Sequence, residues 1–302
     1  MEFGRVDPRE IRELDFSLAP DGKSVERTLP GVPAEGGCKF YVGCSKWGRN
    51  EWKGHLYREK AKERDFLKEY AKHFDTIELN ATFFSIPNRE QMEKWRMAVE
   101  EAGNPDFLFV PKVSRQISHI SRLQECGLML GMYLGAMKGF EKHLGPLFLQ
   151  MSDNFGPKHY STLENFVREL PEGFQYFFEL RHPDWFADPI QRERLFTLLA
   201  KYNVGTSVSD SSGRRDCLHM ELPTKELLLR FVGNGGEFTD TDYARVDEWV
   251  DRIAQWVDRG LEKVYFFAHR HDESDTPQLA GYIIDKLNRR FGAGLKRIDW
   301  KA

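Results

Sequence analysis

From Phe40 onward, short apolar runs of strand length alternate with longer segments whose apolar residues recur at helical spacing. The short runs fall at 40–45 (FYVGCS), 75–80 (DTIELN), 106–112 (DFLFVPK), 145–151 (GPLFLQM), 174–181 (FQYFFELR), 203–208 (NVGTSV), 226–232 (ELLLRFV) and 263–269 (KVYFFAH). They are rich in aromatic and branched residues, as strands of buried parallel sheets are. Between them, Phe66, Leu67, Tyr70, Ala71 and Phe74 share one helical face. Val246, Trp249, Val250, Ile253, Trp256 and Val257 share another, as do Leu279, Ile283, Ile284 and Leu287. Thr162, with Glu164 and Asn165 close behind, marks an expected helix start, and 209–225 shows no helical period, so one crossover is expected to be irregular. Eight strands alternating with helices predict an α/β fold, a single closed (β/α)8 TIM barrel. An open doubly wound sheet is the alternative, but no G-x-G-x-x-G follows the first strand and no P-loop is present.

Residues 1–37 carry Pro8, Pro20, Pro30 and Pro33 without a sustained period. They read as an N-terminal extension that packs on the body or stays mobile, leaving 38–302 as the barrel domain. At 302 residues and 40% hydrophobic content the chain is large enough for one sizeable core. There is no apolar run of about 18 residues and no secretory pattern in MEFGRVDPRE, so a cytoplasmic protein without membrane contact is expected. Cys38, Cys44, Cys126 and Cys217 form no C-x-x-C pair, which argues against a zinc knuckle or disulfide framework and for a reducing compartment.

Side chains alternate across a strand, so parity sorts inward from outward positions. With Ile77 and Leu79 toward the helices, Glu78 and Asn80 turn inward; with Tyr176, Phe178 and Leu180 outward, Phe177, Glu179 and Arg181 turn inward. The same rule sends Ser45, Lys112, Gln150, Arg230 and His269 inward, all at or near strand C-termini. An unpaired buried charge costs several kcal/mol, so these groups must pair with one another or face a solvated cleft. Glu78 and Glu179 against Lys112, Arg181 and Arg230 leave one positive charge over. The layer is either an internal salt-bridge layer that fixes strand register or a ligand site on the face where barrels of this kind carry their active sites.

The formal net charge is −3, yet basic residues gather in the loops above the strand ends. Residues 46–64 hold seven Lys or Arg against three Glu, interleaved with Trp47, Trp52 and Tyr57. Lys112, Arg115, Arg122 and His119 follow the third strand; His182, Trp185, Arg214, Arg215, Arg270 and His271 follow later ones. That local field favours an anionic partner, a small molecule or a nucleic acid. Trp47, Trp52 and Trp185 are candidate stacking surfaces, with loop anchoring as the alternative for Trp52 and Trp185. For an enzyme, Arg181, Arg230 and Lys112, with Asn80, Gln150 and His182, would bind the substrate. Glu179 or Glu78 would serve as general base or acid, and His119 or His269 would carry the proton. Binding of a polyanion without catalysis, by the 46–64 rim, is the second reading, and a sensor or scaffold with a structural charge layer is the third. No cofactor is expected. A divalent metal would have Glu78, Glu179, Asp210 and His269 as conceivable ligands, but the neighbouring cations compete for the same carboxylates.

These strand-end segments resemble the DUF72 (YecE-like) family. The resemblance is carried by YVGCSKW with EWKGHLY, IELNATFFSIP (77–87), KVSRQISHISRL (112–123), LGPLFLQMSDNF (144–155), ELRHPDWF (179–186), RFVG (230–233) and VYFFAH. It covers about residues 40–291 and implies a TIM barrel, but transfers no catalytic residues. Two segments depart from the family pattern. Val232 stands where an Arg-x-His-Gly pattern would place a His, and His269 stands near an expected Asn, so His269 is expected to compensate for the missing imidazole.

Overall fold

The computed structural model describes residues 4–300. Eight parallel strands follow one another as β1 Lys39–Cys44, β2 Thr76–Leu79, β3 Leu108–Pro111, β4 Leu147–Gln150, β5 Tyr176–Glu179, β6 Gly205–Asp210, β7 Glu226–Gly233 and β8 Lys263–Arg270. The helices are α1 Lys23–Thr28, α2 Phe66–Tyr70, α3 Ala81–Phe84, α4 Arg89–Glu101, α5 Gly127–Met137, α6 Tyr160–Arg168, α7 Asp184–Ala187, α8 Pro189–Lys201, α9 Thr239–Asp258 and α10 Thr276–Phe291. Each expected strand is present: β2 to β5 are shorter than their apolar runs, β1 and β6 are shifted by one or two residues, and β7 and β8 run one residue longer. Helix α6 begins at Tyr160, so Thr162 lies inside it rather than at its cap; a 3-10 turn opened by Pro157 leads into it.

Six strands form one hydrogen-bonded sheet in the order β1-β8-β7-β6-β5-β4, and β2 pairs with β3 in a second. Single parallel bridges, Phe109 to Leu144 and Lys112 to Phe148, link the β3 strand to the β4 strand. Between β1 and β2 the link is a side chain: the Tyr70 hydroxyl accepts from the Cys44 N–H at 2.7 Å and donates to the Thr76 carbonyl at 2.9 Å. The two strands approach closely there. A Cβ on Gly43 would lie 2.0 Å from the Thr76 carbonyl oxygen, which leaves room only for glycine.

Parity sorts the core into two clusters. Ile77, Leu79, Tyr176, Phe178 and Leu180 belong to the large cluster shared with the helices. The alternate positions Val110, Phe148, Phe177, Leu228, Tyr265 and Phe267 form a separate, smaller cluster on the inner side of the strands. Above it lie the polar strand ends.

Between β6 and β7 the chain makes only a 3-10 turn over Ser212–Cys217, as the aperiodic sequence there predicts. The place of a helix after β6, between α8 and α9, is taken by the N-terminal segment. Val25 of α1 and Leu29 just after it join the large core, and Arg27 pairs with Glu193 of α8. Asp21 accepts from Arg252 at 3.1 Å, Trp256 at 3.0 Å and Arg259 at 2.9 Å, all in or just after α9. Gly22 donates to the Met220 carbonyl at 2.6 Å. Over the described residues the extension is therefore packed on the body.

Tyr70→Phe should leave the Cys44 N–H and the Thr76 carbonyl without their partner, at about 1–3 kcal/mol for each buried group. Chemical denaturation is the check. Unchanged stability would mean that the hydroxyl does not hold this seam.

Candidate active site

The inward residues at the strand ends meet in one network centred on Arg230 of β7. Its Nε and Nη2 donate to the two carboxylate oxygens of Glu78 at 2.7 and 2.9 Å, and its Nη1 donates to Glu179 at 2.8 Å. One guanidinium thus ties β7 to β2 and to β5, passing above the Phe148 ring of β4 at 5.0 Å. Arg181 holds the other Glu179 oxygen at 2.5 Å. Asn80 donates to Glu78 at 2.8 Å, and His269 Nε2 lies 3.0 Å from the same carboxylate. Lys112 Nζ donates to the Gln150 side-chain oxygen at 2.8 Å and sits over the Phe83 ring at 4.2 Å.

Burial divides the network into two levels. Glu78, Glu179, Arg230 and His269 are 2% exposed or less. Ser45, Lys112, Gln150, Arg181 and Ser209 retain 6–8% and form the less deeply buried level. Electrostatics follow this division. Burial alone would raise the Glu179 carboxyl, but Arg181 and Arg230 overcome it and bring the pKa down to about 2. Glu78 is held well below its ordinary value in the same way, burial being outweighed by Arg230 and His269. Lys112 goes the other way. Burial, reinforced by repulsion from Arg230, lowers its pKa to about 7.

The carboxylates foreseen as general acid or base are therefore clamped as anions, with their oxygens taken by guanidinium, amide and imidazole partners. His119 stands outside the hydrogen-bonded network but beside it. Its ring meets Phe83 edge-on at 5.1 Å, with Nδ1 2.9 Å from the Ser118 hydroxyl, and burial together with Lys112 lowers its pKa. The loop carrying Lys112 and His119 is strained. It contains a π-helical turn over Gln116–Ile120, and Arg122, Leu123 and Glu125 have φ of 50°, 69° and 46°. Both features cluster at functional loops.

Other foreseen residues are placed elsewhere. Trp185 is fully buried, with its indole N–H on the Phe155 carbonyl at 2.6 Å, so it anchors a loop and offers no stacking face. Trp52 and Tyr57 are likewise buried, and Trp47 packs edge-on against Trp95 at 5.3 Å. His182 lines a separate surface cleft of about 540 Å³ with Gly156, Lys158 and Asp184. Asp210 belongs to a second buried cluster: its carboxylate takes Arg215 at 2.5 Å, Arg245 at 2.7 Å and the Trp249 indole at 2.7 Å. Among the described residues no group of three or more His, Cys, Asp or Glu is disposed to hold a metal ion. The physical reason is visible in these pairs, since every carboxylate named as a conceivable ligand already faces a guanidinium.

The basic rim is also more neutral than its sequence implies. Arg214 pairs with Asp153 and Asp216, Arg215 with Asp210, Arg270 with Asp242 and Asp275, and Lys46 with Glu273. Sequence reasoning missed the hydroxyls of Ser207 and Ser209 on β6. Both are buried without a hydrogen-bond partner, as is His269 Nδ1, and only their inward parity opposite Val208 in β6 could have flagged the two serines. Val232 and His269 are direct partners across β7 and β8, so the imidazole stands beside the valine.

Fold and site together define an α/β protein with a mostly parallel central sheet and a buried ion-pair layer at its strand C-termini. A model of the family described as "Protein of unknown function DUF72" matches residues 41–300, and the chain belongs to that family. It is 27% identical over 268 residues to UPF0759 protein YecE of Escherichia coli (strain K12), covering 83% of this chain and 93% of that one. The crystal structures of DUF72 family proteins from Enterococcus faecalis V583 and Thermotoga maritima MSB8 match with TM-scores of 0.64 and 0.62, each at 18% identity. Each match covers 83% of this chain, and 98% and 99% of the respective relative. These likenesses establish a shared fold. Among the described residues no helix is long and apolar enough to cross a membrane.

Glu179→Gln should cost about 3–5 kcal/mol at pH 7, because it breaks a buried pair and leaves Arg181 without its carboxylate. The folded pKa lies below the ordinary 4.5, so the contribution is complete above pH 4.5 and disappears as pH falls toward 2. Urea denaturation of both proteins should show a gap that closes across that window. A gap independent of pH would contradict the assignment.

Proposed function

We propose that the eight strands form a closed (β/α)8 barrel and that the protein is an enzyme acting on an anionic substrate at the strand C-termini, with Lys112 as its proton-transferring group. The barrel reading is supported by Arg230, which reaches from β7 to β2 and β5 across the ring of β4, and by the Tyr70 link between β1 and β2.

The observation that carries the function is the charge balance of the network. Two carboxylates are matched by two guanidiniums, and Lys112 is the cation in excess, joined to a neutral amide. A group near pH 7 that loses and regains a proton cheaply suits general acid–base work. Arg181, at the same less deeply buried level, supplies a fixed positive charge for the substrate's anionic end.

The second reading, a nucleic-acid or polyanion binder, is less well supported. Stacking needs exposed ring faces, and Trp52 and Tyr57 of the basic rim are buried.

Sulfate, whose charge is constant between pH 6 and 9, is the appropriate probe. Calorimetry should show affinity falling as pH rises through about 7, where Lys112 loses its proton, and Lys112→Met should abolish that dependence. Lys112→Met should also raise the melting temperature by several degrees at pH 6, an advantage that shrinks toward pH 10. The sign follows from linkage: a lysine with a lowered folded pKa costs stability in full below about 7 and nothing above its unfolded value of 10.5. No sulfate binding, or binding indifferent to pH, would refute the proposal. Tight binding of a single-stranded oligonucleotide with a steep salt dependence would favour the second reading.

A further inference from the structure

We propose that Lys112 is an imine-forming amine, and that the substrate class is small anionic aldehydes and ketones; this rests on the reading of the strand ends as an anion site. The geometry around the amine motivates the step. Lys112 is 7% exposed, and its Nζ donates to the neutral Gln150 side chain and lies over Phe83. The groups facing it are Arg230 from β7, Glu78 from β2, Glu179 and Arg181 from β5 and Gln150 from β4, with His119 beside it across Phe83. Both carboxylates are already clamped by guanidiniums, so neither holds the amine as an ammonium ion.

A lysine that served only to hold an anion would gain nothing from such an environment, since burial weakens the charge it needs. An arginine keeps its charge under the same burial. What desolvation and neighbouring cations do give an amine is a free lone pair at neutral pH, the condition for attack on a carbonyl carbon. With a pKa near 7, Lys112 has on the order of a thousandfold more free amine at pH 7 than an ordinary lysine.

The step balances without any oxidant or reductant. The Nζ lone pair forms the N–C bond as the C=O π pair moves to oxygen, giving a carbinolamine. Water then leaves with the former carbonyl oxygen and the two amine protons, and an imine remains. Arg181 is positioned to hold the anionic end of such a substrate. The unpartnered His269 Nδ1 and Ser209 hydroxyl offer hydrogen bonds to its remaining polar groups.

The test uses the full chain, glycolaldehyde phosphate as probe and sodium borohydride to reduce the imine to a stable secondary amine. Peptide mapping should find the reduced adduct on Lys112 ahead of exposed lysines such as Lys158. Labelling should be half-maximal near pH 7, and excess sulfate or removal of the phosphate from the probe should suppress it. Mapping on the unaltered protein avoids reliance on a variant that fails to fold. Labelling spread over exposed lysines, with sulfate still binding in a pH-dependent way, would overturn imine formation and leave the anion site standing. Absence of both labelling and sulfate binding would overturn the two readings together.

Discussion

The Arg230 guanidinium is the constraint from which the rest of the strand-end layer follows. It is 1% exposed and satisfies two carboxylates carried by strands on either side of its own. A buried charge of this kind is tolerable only when its partners are fixed in place, because loss of one exposes the full desolvation cost of the other. The backbone registers of β2, β5 and β7 are therefore coupled through side chains whose hydrogen bonds do not tolerate slippage. The coupling also decides which groups are free for chemistry. Glu78 and Glu179 keep the guanidiniums company, and Lys112 is left as the only cation of the layer whose closest hydrogen-bond partner is uncharged.

The same residue types serve a different end a few residues away. Asp210, at the end of β6, is also buried beneath two arginines, but its partners Arg215, Arg245 and Trp249 lie in the following turn and in α9. Arg215 further donates to the carbonyls of Phe16 and Ser17, and both guanidiniums face the Phe16 ring. This cluster seals the N-terminal segment over the one crossover that has no α-helix of its own. Two buried carboxylate–arginine networks thus divide the labour: one faces inward, the other faces outward and fastens the wrapping.

How much of this was legible in the sequence depends on the range of the interaction. Strand positions and parity are local properties, and they placed Glu78, Asn80, Lys112, Gln150, Glu179, Arg181, Arg230 and His269 on one inner layer. What parity does not reveal is pairing between segments far apart in the chain. Arg214 finds Asp153, and Arg270 finds Asp242, so loops that read as a cationic rim are largely neutralised. For Trp52 and Trp185 composition leaves stacking and loop anchoring both open, and the structure takes the second: each indole N–H reaches a backbone carbonyl from within the core. The N-terminal segment has no period because its contacts are supplied by α8 and α9 rather than by its own repeat. Lys112 reads from sequence as an anion holder because its charge state is set by burial and by Arg230 against carboxylates already held by guanidiniums, a property of the assembled layer.

Side-chain size changes along the strands that carry this layer. Below it, Phe148, Phe177 and Phe267 fill the inner space so completely that a Cβ on Gly205 would fall 2.4 Å from the Phe177 ring. The residue after β1 is Ser45, and β6 contributes Ser207 and Ser209, the latter in register with Arg230. The hydroxyls of Ser207 and Ser209 are buried without partners, so apolar fill gives way to polar groups toward the strand C-termini. On the proposed reading a small polar anion would satisfy both the charge of Lys112 and those hydroxyls, whereas an apolar ligand could cover the Phe83 ring but would leave the hydroxyls stranded. The buried Arg230 pairs hold the strands beneath in register.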